Sequence, residues 1–478
     1  MNAEVITLSS RHSKLSAVAA ENGRIVRLGR DREVLRFIGK KMPVWNLHGA
    51  VVLPGFTDCH MHLVTYGFEL LSANLKKARS ISEIQDALRK QAENTDSSKW
   101  VLGYGWDQEK LKEHRFPNRF DLDAAVPDRP VITFRVCGHM CAVNSEALRS
   151  ANITAGTTPP IGGVIDRDEK GDPVGLLREN AMNLVLEVAP APDDREVRRA
   201  VSLAMNRAIR TGLTAVHCVI DEAQHVRVLQ DMKEADELKL RIYLLIPDKW
   251  LASAETMGLS TGFGSDMLRI QGVKIFTDGS LGAQTAALEQ PYSDAPETSG
   301  VLIHGQDELD ALVESAARQG LEASVHAIGD RAIAMALSAI ENAYLRVSSS
   351  AGLRHRIEHV SVLNPDLLER LKSATIIASV QPHFKVSDVW VPQRVGAHRA
   401  KLVYALRSLR RRCVTIGGSD CPVEPIDPLE GIQAAVAKVS ESYGEQVSPR
   451  AAVEMFTKNA AYATHEEKSK GSIEVGKV

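Results

Sequence analysis

From about residue 193 to residue 417, short apolar runs alternate with amphipathic stretches of helical period. A helix over 193–211 stops at Gly212, a glycine placed to end it in the left-handed conformation, and strand Leu213–Cys218 follows. A helix over 221–238 then leads to strand Arg241–Ile246, and a longer connection leads to strand Leu268–Phe276. The same alternation continues with helix 307–319, strand Glu322–His326, helix 331–346 and strand His355–Val360. Asn364-Pro365 supplies a cap and a first-turn proline for the next helix, before strand Thr375–Gln381. Helix 404–412 and strand Cys413–Gly417 complete the series. With the β-branched run that opens at Val51, this makes eight strands mostly separated by helices. Such alternation predicts a parallel sheet with right-handed crossovers, and eight units predict an α/β fold of the (β/α)8, TIM-like barrel type. A doubly wound open sheet is the rival. It usually carries a glycine-rich phosphate turn after its first strand, whereas here the chain reads Asp58-Cys-His-Met-His62.

The flanking segments read differently. Residues 1–50 show short strands (Ala3–Leu8, Leu15–Ala20, Arg24–Leu28 and Val44–Leu47), too little chain to bury a core alone. The C-terminal stretch 470–478 is strand-like after a helix over 448–463 that starts at Ser448-Pro449, and its natural partner is the N-terminal β segment. Between them, 70–190 loses the strand–helix rhythm. Ser80 caps a helix, Val101–Trp106 and Val131–Val136 are strand-like, and 159–177 reads as a hairpin turning at Glu169-Lys-Gly-Asp172. Three parts are therefore expected: a small β-sandwich from 1–50 and 465–478, a barrel from 51–69 and 191–464, and an inserted subdomain over 70–190 covering the barrel mouth.

Composition narrows the function. The chain has 478 residues, 44% hydrophobic and 25% charged, with 58 basic against 60 acidic residues and a net charge of −2. No long basic run points to nucleic acid or an anionic membrane, and no apolar stretch is long enough to span a bilayer. The six cysteines form no CxxC pair, and several fall at strand ends where a disulfide would obstruct. A cytoplasmic protein acting on a small molecule is expected. A homo-oligomer is compatible with all of this.

Barrel enzymes place their chemistry at the C-terminal ends of the strands. In this chain those ends carry His60 and His62, His217, Pro247, Lys274, His326, His359, Gln381 with His383, and Asp420. In an extended strand alternate side chains share a face, so His60 and His62 converge. A small core has no use for six histidines, a lysine and a carboxylate aimed at one mouth. Desolvating them without a cation would cost several kcal/mol per charged group, and a divalent metal removes that cost. Alternatives stand beside this reading: His217 could cap its strand, Lys274 could pair with Asp278, His355 and Arg356 could back the site or face helices, and His139 could be structural.

These motifs resemble the amidohydrolase superfamily, and within it the amidohydrolase-3 branch that includes N-substituted formamide deformylases. The resemblance rests on Leu53-Pro-Gly-Phe-Thr-Asp-Cys-His-Met-His-Leu63, Val273-Lys-Ile-Phe-Thr-Asp-Gly-Ser-Leu-Gly282 and Val325-His-Ala-Ile-Gly-Asp-Arg331. Arg354-His-Arg-Ile-Glu-His359, Gly418-Ser-Asp420, Cys137-Gly-His-Met-Cys-Ala-Val-Asn-Ser145 and Gly162-Gly-Val-Ile-Asp-Arg167 extend it over nearly the whole chain. Members usually continue past the Gly-Ser-Ile-Glu-Val-Gly-Lys segment at 471–477 into another sandwich strand, so the small domain is expected to be incomplete or differently closed here.

The resemblance implies one or two divalent ions, zinc first among them. His60, His62 and Asp420 would hold the more buried ion, His326 and His359 a second, and Lys274 would bridge them as a carbamate formed with CO2. It implies hydrolysis of a C–N bond in an amide, N-acyl or N-formyl substrate, with Asp420 moving the proton. Trp106, His139, His217, Asp278 and Leu281 are the expected substrate-pocket groups. An isomerase or decarboxylase on the same scaffold is the alternative within enzymes. A metal-free binding or regulatory protein is the alternative outside them, and it would be expected to have lost ligands.

Overall fold

The computed structural model describes residues 1–9, 15–39, 43–136, 138, 140–160, 162–373, 375–439 and 443–478. Its backbone divides into two compact units, Met1–Leu63 with Met205–Val478, and Val64–Ala204.

The first unit is built on eight parallel strands in sequential order: β1 Phe56–Met61, β2 Leu213–Val219, β3 Arg241–Pro247, β4 Leu268–Phe276, β5 Glu322–Ala327, β6 Arg356–His359, β7 Ile377–Val380 and β8 Val414–Gly417. This is the expected barrel, with helices such as Gln306–Arg318 and Asp330–Arg346 in the crossovers. The two glycines read as helix stops adopt φ of 88° at Gly212 and 74° at Gly320. The opening run is not one strand. Val51–Val52 pairs in parallel with Glu4–Val5, and the barrel strand starts only at Phe56. Leu53-Pro-Gly55 separates the two: proline lacks an N–H for a ladder, and a Cβ on Gly55 would lie 2.5 Å from Thr214.

The barrel seam closes where β1 meets β8. Asp420 N–H donates to His60 O at 2.7 Å and His62 N–H to Cys421 O at 2.8 Å. Asp58 ties the same seam, accepting from Ser419 N (3.0 Å), Ser419 Oγ (2.5 Å) and His60 N (3.1 Å). Gly418 is required there, because a Cβ would sit 2.6 Å from His60 N. Burial pushes Asp58 up to about 7 against these three donors.

The N-terminal residues form the Ala17–Glu21/Arg24–Gly29 hairpin and a helix over Asp31–Ile38 that the sequence pattern did not announce. Residues 44–47, expected as a strand, carry none. The C-terminal stretch reaches this region through backbone bonds rather than as a regular strand: Ile473 N–H to Thr7 O, Gly476 N–H to Ile25 O, and Ile25 N–H to Lys477 O.

The second unit holds a six-stranded mixed sheet and the helix Ile81–Glu93, whose cap Ser80 accepts from Glu83 N at 3.2 Å. The expected hairpin is present as Gly163–Arg167 and Pro173–Glu179. The unit is wider than 70–190 because helices Leu63–Leu71 and Asp194–Arg210 touch backbone to backbone: a Cβ on Gly67 would lie 2.2 Å from Ala200 O. Among the described residues no helix is long and apolar enough to cross a membrane, and no disulfide joins Cys59, Cys141, Cys218, Cys413 or Cys421.

Candidate metal centre

At the C-terminal end of the barrel the first strand delivers His60 and His62. His60 Nε2 lies 3.5 Å from Asp420 Oδ1, and His62 Nε2 lies 3.3 Å from the same oxygen. Zinc–ligand bonds of about 2.0–2.1 Å in tetrahedral array put neighbouring ligand atoms about 3.3–3.4 Å apart, so Asp420 Oδ1 already stands near coordinating separation from both imidazole nitrogens. Among the described residues this is the one group of three such side chains whose ligand atoms lie within 4.8 Å of one another. Asp420 adopts φ 57°, which turns its carboxylate back over the strand end. Burial pushes its carboxyl up, but the hydrogen bond from His62 and the neighbouring imidazoles outweigh that and hold it well below the usual carboxylate range.

The other expected ligands gather at the same place. Lys274 Nζ on β4 is 3.4 Å from His60 Nε2, and burial brings its amine down to about 8. The His359 ring centre is 5.1 Å from that of His60 and 4.5 Å from that of His326. Burial also pushes the imidazoles toward the neutral, metal-competent form: His359 to about 3, His60 and His326 below their ordinary value. Each is held from behind. His359 Nδ1 donates to Gln381 Oε1 at 2.8 Å, His326 Nε2 to Gly279 O at 3.1 Å, and His60 Nδ1 to Glu358 Oε2 at 2.6 Å.

β6 does something the sequence pattern could not show. Arg356 and Glu358 alternate onto the barrel interior, and His359 should then face away from it. It does not, because His359 sits at φ 73° and Val360 at 48°, returning the ring to the side that Glu358 occupies. Glu358 was therefore missed. A charged pair on the four-residue strand Arg-Ile-Glu-His was the signal that could have found it.

The remaining expected pocket groups have other contacts. Asp278 is 1% exposed and accepts from Ala287 N (2.9 Å), Gly329 N (2.9 Å) and Ile328 N (3.0 Å). It ties the loop after β4 to the loop after β5, just beyond His326. Leu281 is buried with Tyr292, Val362 and Tyr404. His217 is fully buried, and its Nδ1 accepts from Arg356 at 2.6 Å inside the barrel. Trp106 is fully buried in the second unit's own core, with its indole N–H on Thr133 O at 3.0 Å. His139 lies outside the described residues. His383, at the end of the seventh strand, bonds Glu424 at 2.5 Å.

His355, which precedes β6, gives a pH test separate from the ligands. Its Nδ1 accepts from Ala323 N at 2.9 Å, and burial holds the ring neutral with a pKa of about 4. The unfolded chain therefore binds the proton first. The stability this group contributes is intact above the unfolded value near 6.5 and is lost as pH falls from there through about 4, in total roughly 3 kcal/mol. The melting temperature of His355→Gln, whose amide oxygen can still accept from Ala323, should fall less steeply between pH 7 and pH 4 than that of the parent. Parallel curves would remove this assignment.

A parallel barrel with an imidazole–carboxylate cluster at its strand ends defines the class of metal-dependent barrel hydrolases. The comparisons specify the family: the amidohydrolase family profile matches residues 44–478, and the chain belongs to that family. A Bacillus subtilis protein carrying the name amidohydrolase YtcJ is 34% identical, the match covering 99% of this chain and 91% of the relative. N-substituted formamide deformylase of Arthrobacter pascens is 28% identical over 100% of this chain and 91% of its own. A crystal structure of an uncharacterized metal-dependent hydrolase from Pyrococcus furiosus superposes with a TM-score of 0.85 at 33% identity, covering 100% of this chain and 96% of that one.

Proposed function

We propose that this protein hydrolyses a carbon–nitrogen bond of a small amide, N-acyl or N-formyl compound at a metal centre held by His60, His62, Asp420, Lys274, His326 and His359. The observation that carries this is the spacing of His60 Nε2 and His62 Nε2 around Asp420 Oδ1, 3.5 and 3.3 Å, among side chains at most 24% exposed. The relative that deformylates N-substituted formamides supports the bond class.

A divalent ion there, zinc by the chemistry of its nitrogen and oxygen donors, would polarise the scissile carbonyl and acidify water at neutral pH. The chain's own residues do the rest. Asp420, ionised and steadied by His62, takes the proton of the attacking water and returns it to the departing nitrogen, so that one water is added across the C–N bond. His326 and His359 complete the cluster. Lys274 would act as an anionic ligand once its amine nitrogen bonds the carbon of CO2 and loses a proton. A protonated lysine offers no lone pair, whereas the carbamate offers oxygen donors.

Metal content of the purified chain, prepared with and without bicarbonate, tests this. About two equivalents per chain, rising with bicarbonate and accompanied by release of amine from N-acyl or N-formyl amines, is the expected result. A chain that takes up no divalent metal on reconstitution would rule the reading out.

A further inference from the structure

We infer that Glu358 and Arg356 are positioning residues that lock His60 in the Nδ1–H tautomer and make the His60–His62–Asp420 half of the centre the tighter metal site. The inference rests on the metal-dependent reading above and adds to it an order of affinities.

An ionised carboxylate can only accept. The 2.6 Å contact between Glu358 Oε2 and His60 Nδ1 therefore places the ring proton on Nδ1 and leaves the Nε2 lone pair facing Asp420 and Lys274. Glu358 is kept ionised by its other oxygen, which meets Arg356 Nε at 2.5 Å. Arg356 is fixed in turn: Nε donates to Ser324 Oγ at 2.9 Å and Nη1 to His217 Nδ1 at 2.6 Å.

The whole row, from His217 through Arg356 and Glu358 to His60, is buried within the barrel, at most 3% exposed. A buried ion pair brings little stability over apolar residues of similar volume and costs several kcal/mol of desolvation per ion. Its use here is to aim a ligand. A carboxylate behind a metal-bound histidine orients the ring and raises its basicity. The two imidazoles of the other half have no carboxylate hydrogen-bonded behind them. His359 is backed by the neutral amide of Gln381, and His326 by the carbonyl of Gly279 at 3.1 Å, with the Asp278 carboxylate, already engaged by three backbone N–H groups, at 3.5 Å. A charge-assisted bond is roughly twice as strong as a neutral one, so the ion bound by His60 should be held harder than the ion bound by His326 and His359.

Chelator-competition titration of the apo-protein with zinc tests this. The parent should load in two steps of unequal affinity. Glu358→Gln keeps an acceptor but removes the charge. It should weaken the tighter step about 10- to 100-fold and leave the weaker step within about twofold, while the apo-protein melts lower because Arg356 is left buried without its ion partner. Gln381→Glu places a carboxylate behind His359 and should tighten the weaker step about tenfold, a gain that a purely structural role for these residues would not produce. Arg356→Lys, which keeps the charge but loses the two-sided fork, should fall between parent and Glu358→Gln in the tighter step. Two equal steps in the parent, or a tighter step unmoved in folded Glu358→Gln or Arg356→Lys, would overturn the inference. If Glu358→Gln does not fold, Gln381→Glu decides it: an unmoved weaker step counts against. A parent that binds no zinc at all would instead refute the metal-dependent reading itself.

Discussion

Asp420→Asn should fold, retain metal at the His60–His62 end and lose turnover by about 10³-fold, within the range that general-base removal produces. The substitution is nearly isosteric. The side-chain oxygen that faces both His60 Nε2 and His62 Nε2 can still lie between them. What disappears is basicity, since an amide cannot take a proton from water and hand it to a departing amine. Asp420 is also a ligand, so the assay must separate the two roles. Turnover is measured with saturating zinc, metal content is measured on the same sample, and circular dichroism reports the fold. A variant that holds metal and turns over at the parental rate would remove Asp420 from the proton-transfer role.

The second large effect is structural in origin. Asp278→Ala should cost about 3 kcal/mol of stability, because three buried N–H groups lose their acceptor and each orphan costs of order 1–3 kcal/mol, not fully additively. Those donors, Ala287, Ile328 and Gly329, lie in the two loops that flank His326. Gly329 cannot shift to compensate, since even a Cβ there would lie 1.9 Å from Ala287 O. A drop of several degrees in melting temperature and loss of the weaker-bound ion, with the tighter ion kept, is therefore expected. Unchanged melting together with two full equivalents of metal would show that Asp278 anchors neither loop.

The two variants separate chemistry from scaffold at one strand end each. In the proposed reaction Asp420 would act on the reacting groups from the end of β8, where its backbone is left-handed. Asp278 acts at a distance, through the loop that follows the strand carrying His326. A sequence reader sees two aspartates after two barrel strands, each followed or preceded by small residues, and has no local means to tell them apart. Their partners do so: imidazoles for one, backbone amides for the other.

What this chain's sequence determined by itself is the order of its parts. Period-3.6 and apolar segments alternate regularly enough to define the barrel, and the metal-binding residue types fall at the ends of those segments in a readable order, because strand length and side-chain alternation are local properties. Tertiary structure alone decided which buried polar groups meet. His60 and Glu358 are 298 positions apart, and His217 and Arg356 139 apart, so their pairing follows from barrel closure and leaves no local pattern. The turn of His359 toward the face of its neighbour Glu358 depends on a backbone angle that strand periodicity argues against, and it is held only by the packed surroundings. Trp106 is the converse case. Its side chain was eligible for a pocket by type, but the core formed by the second unit's own sheet claimed it, through the burial of a large apolar ring and one indole hydrogen bond.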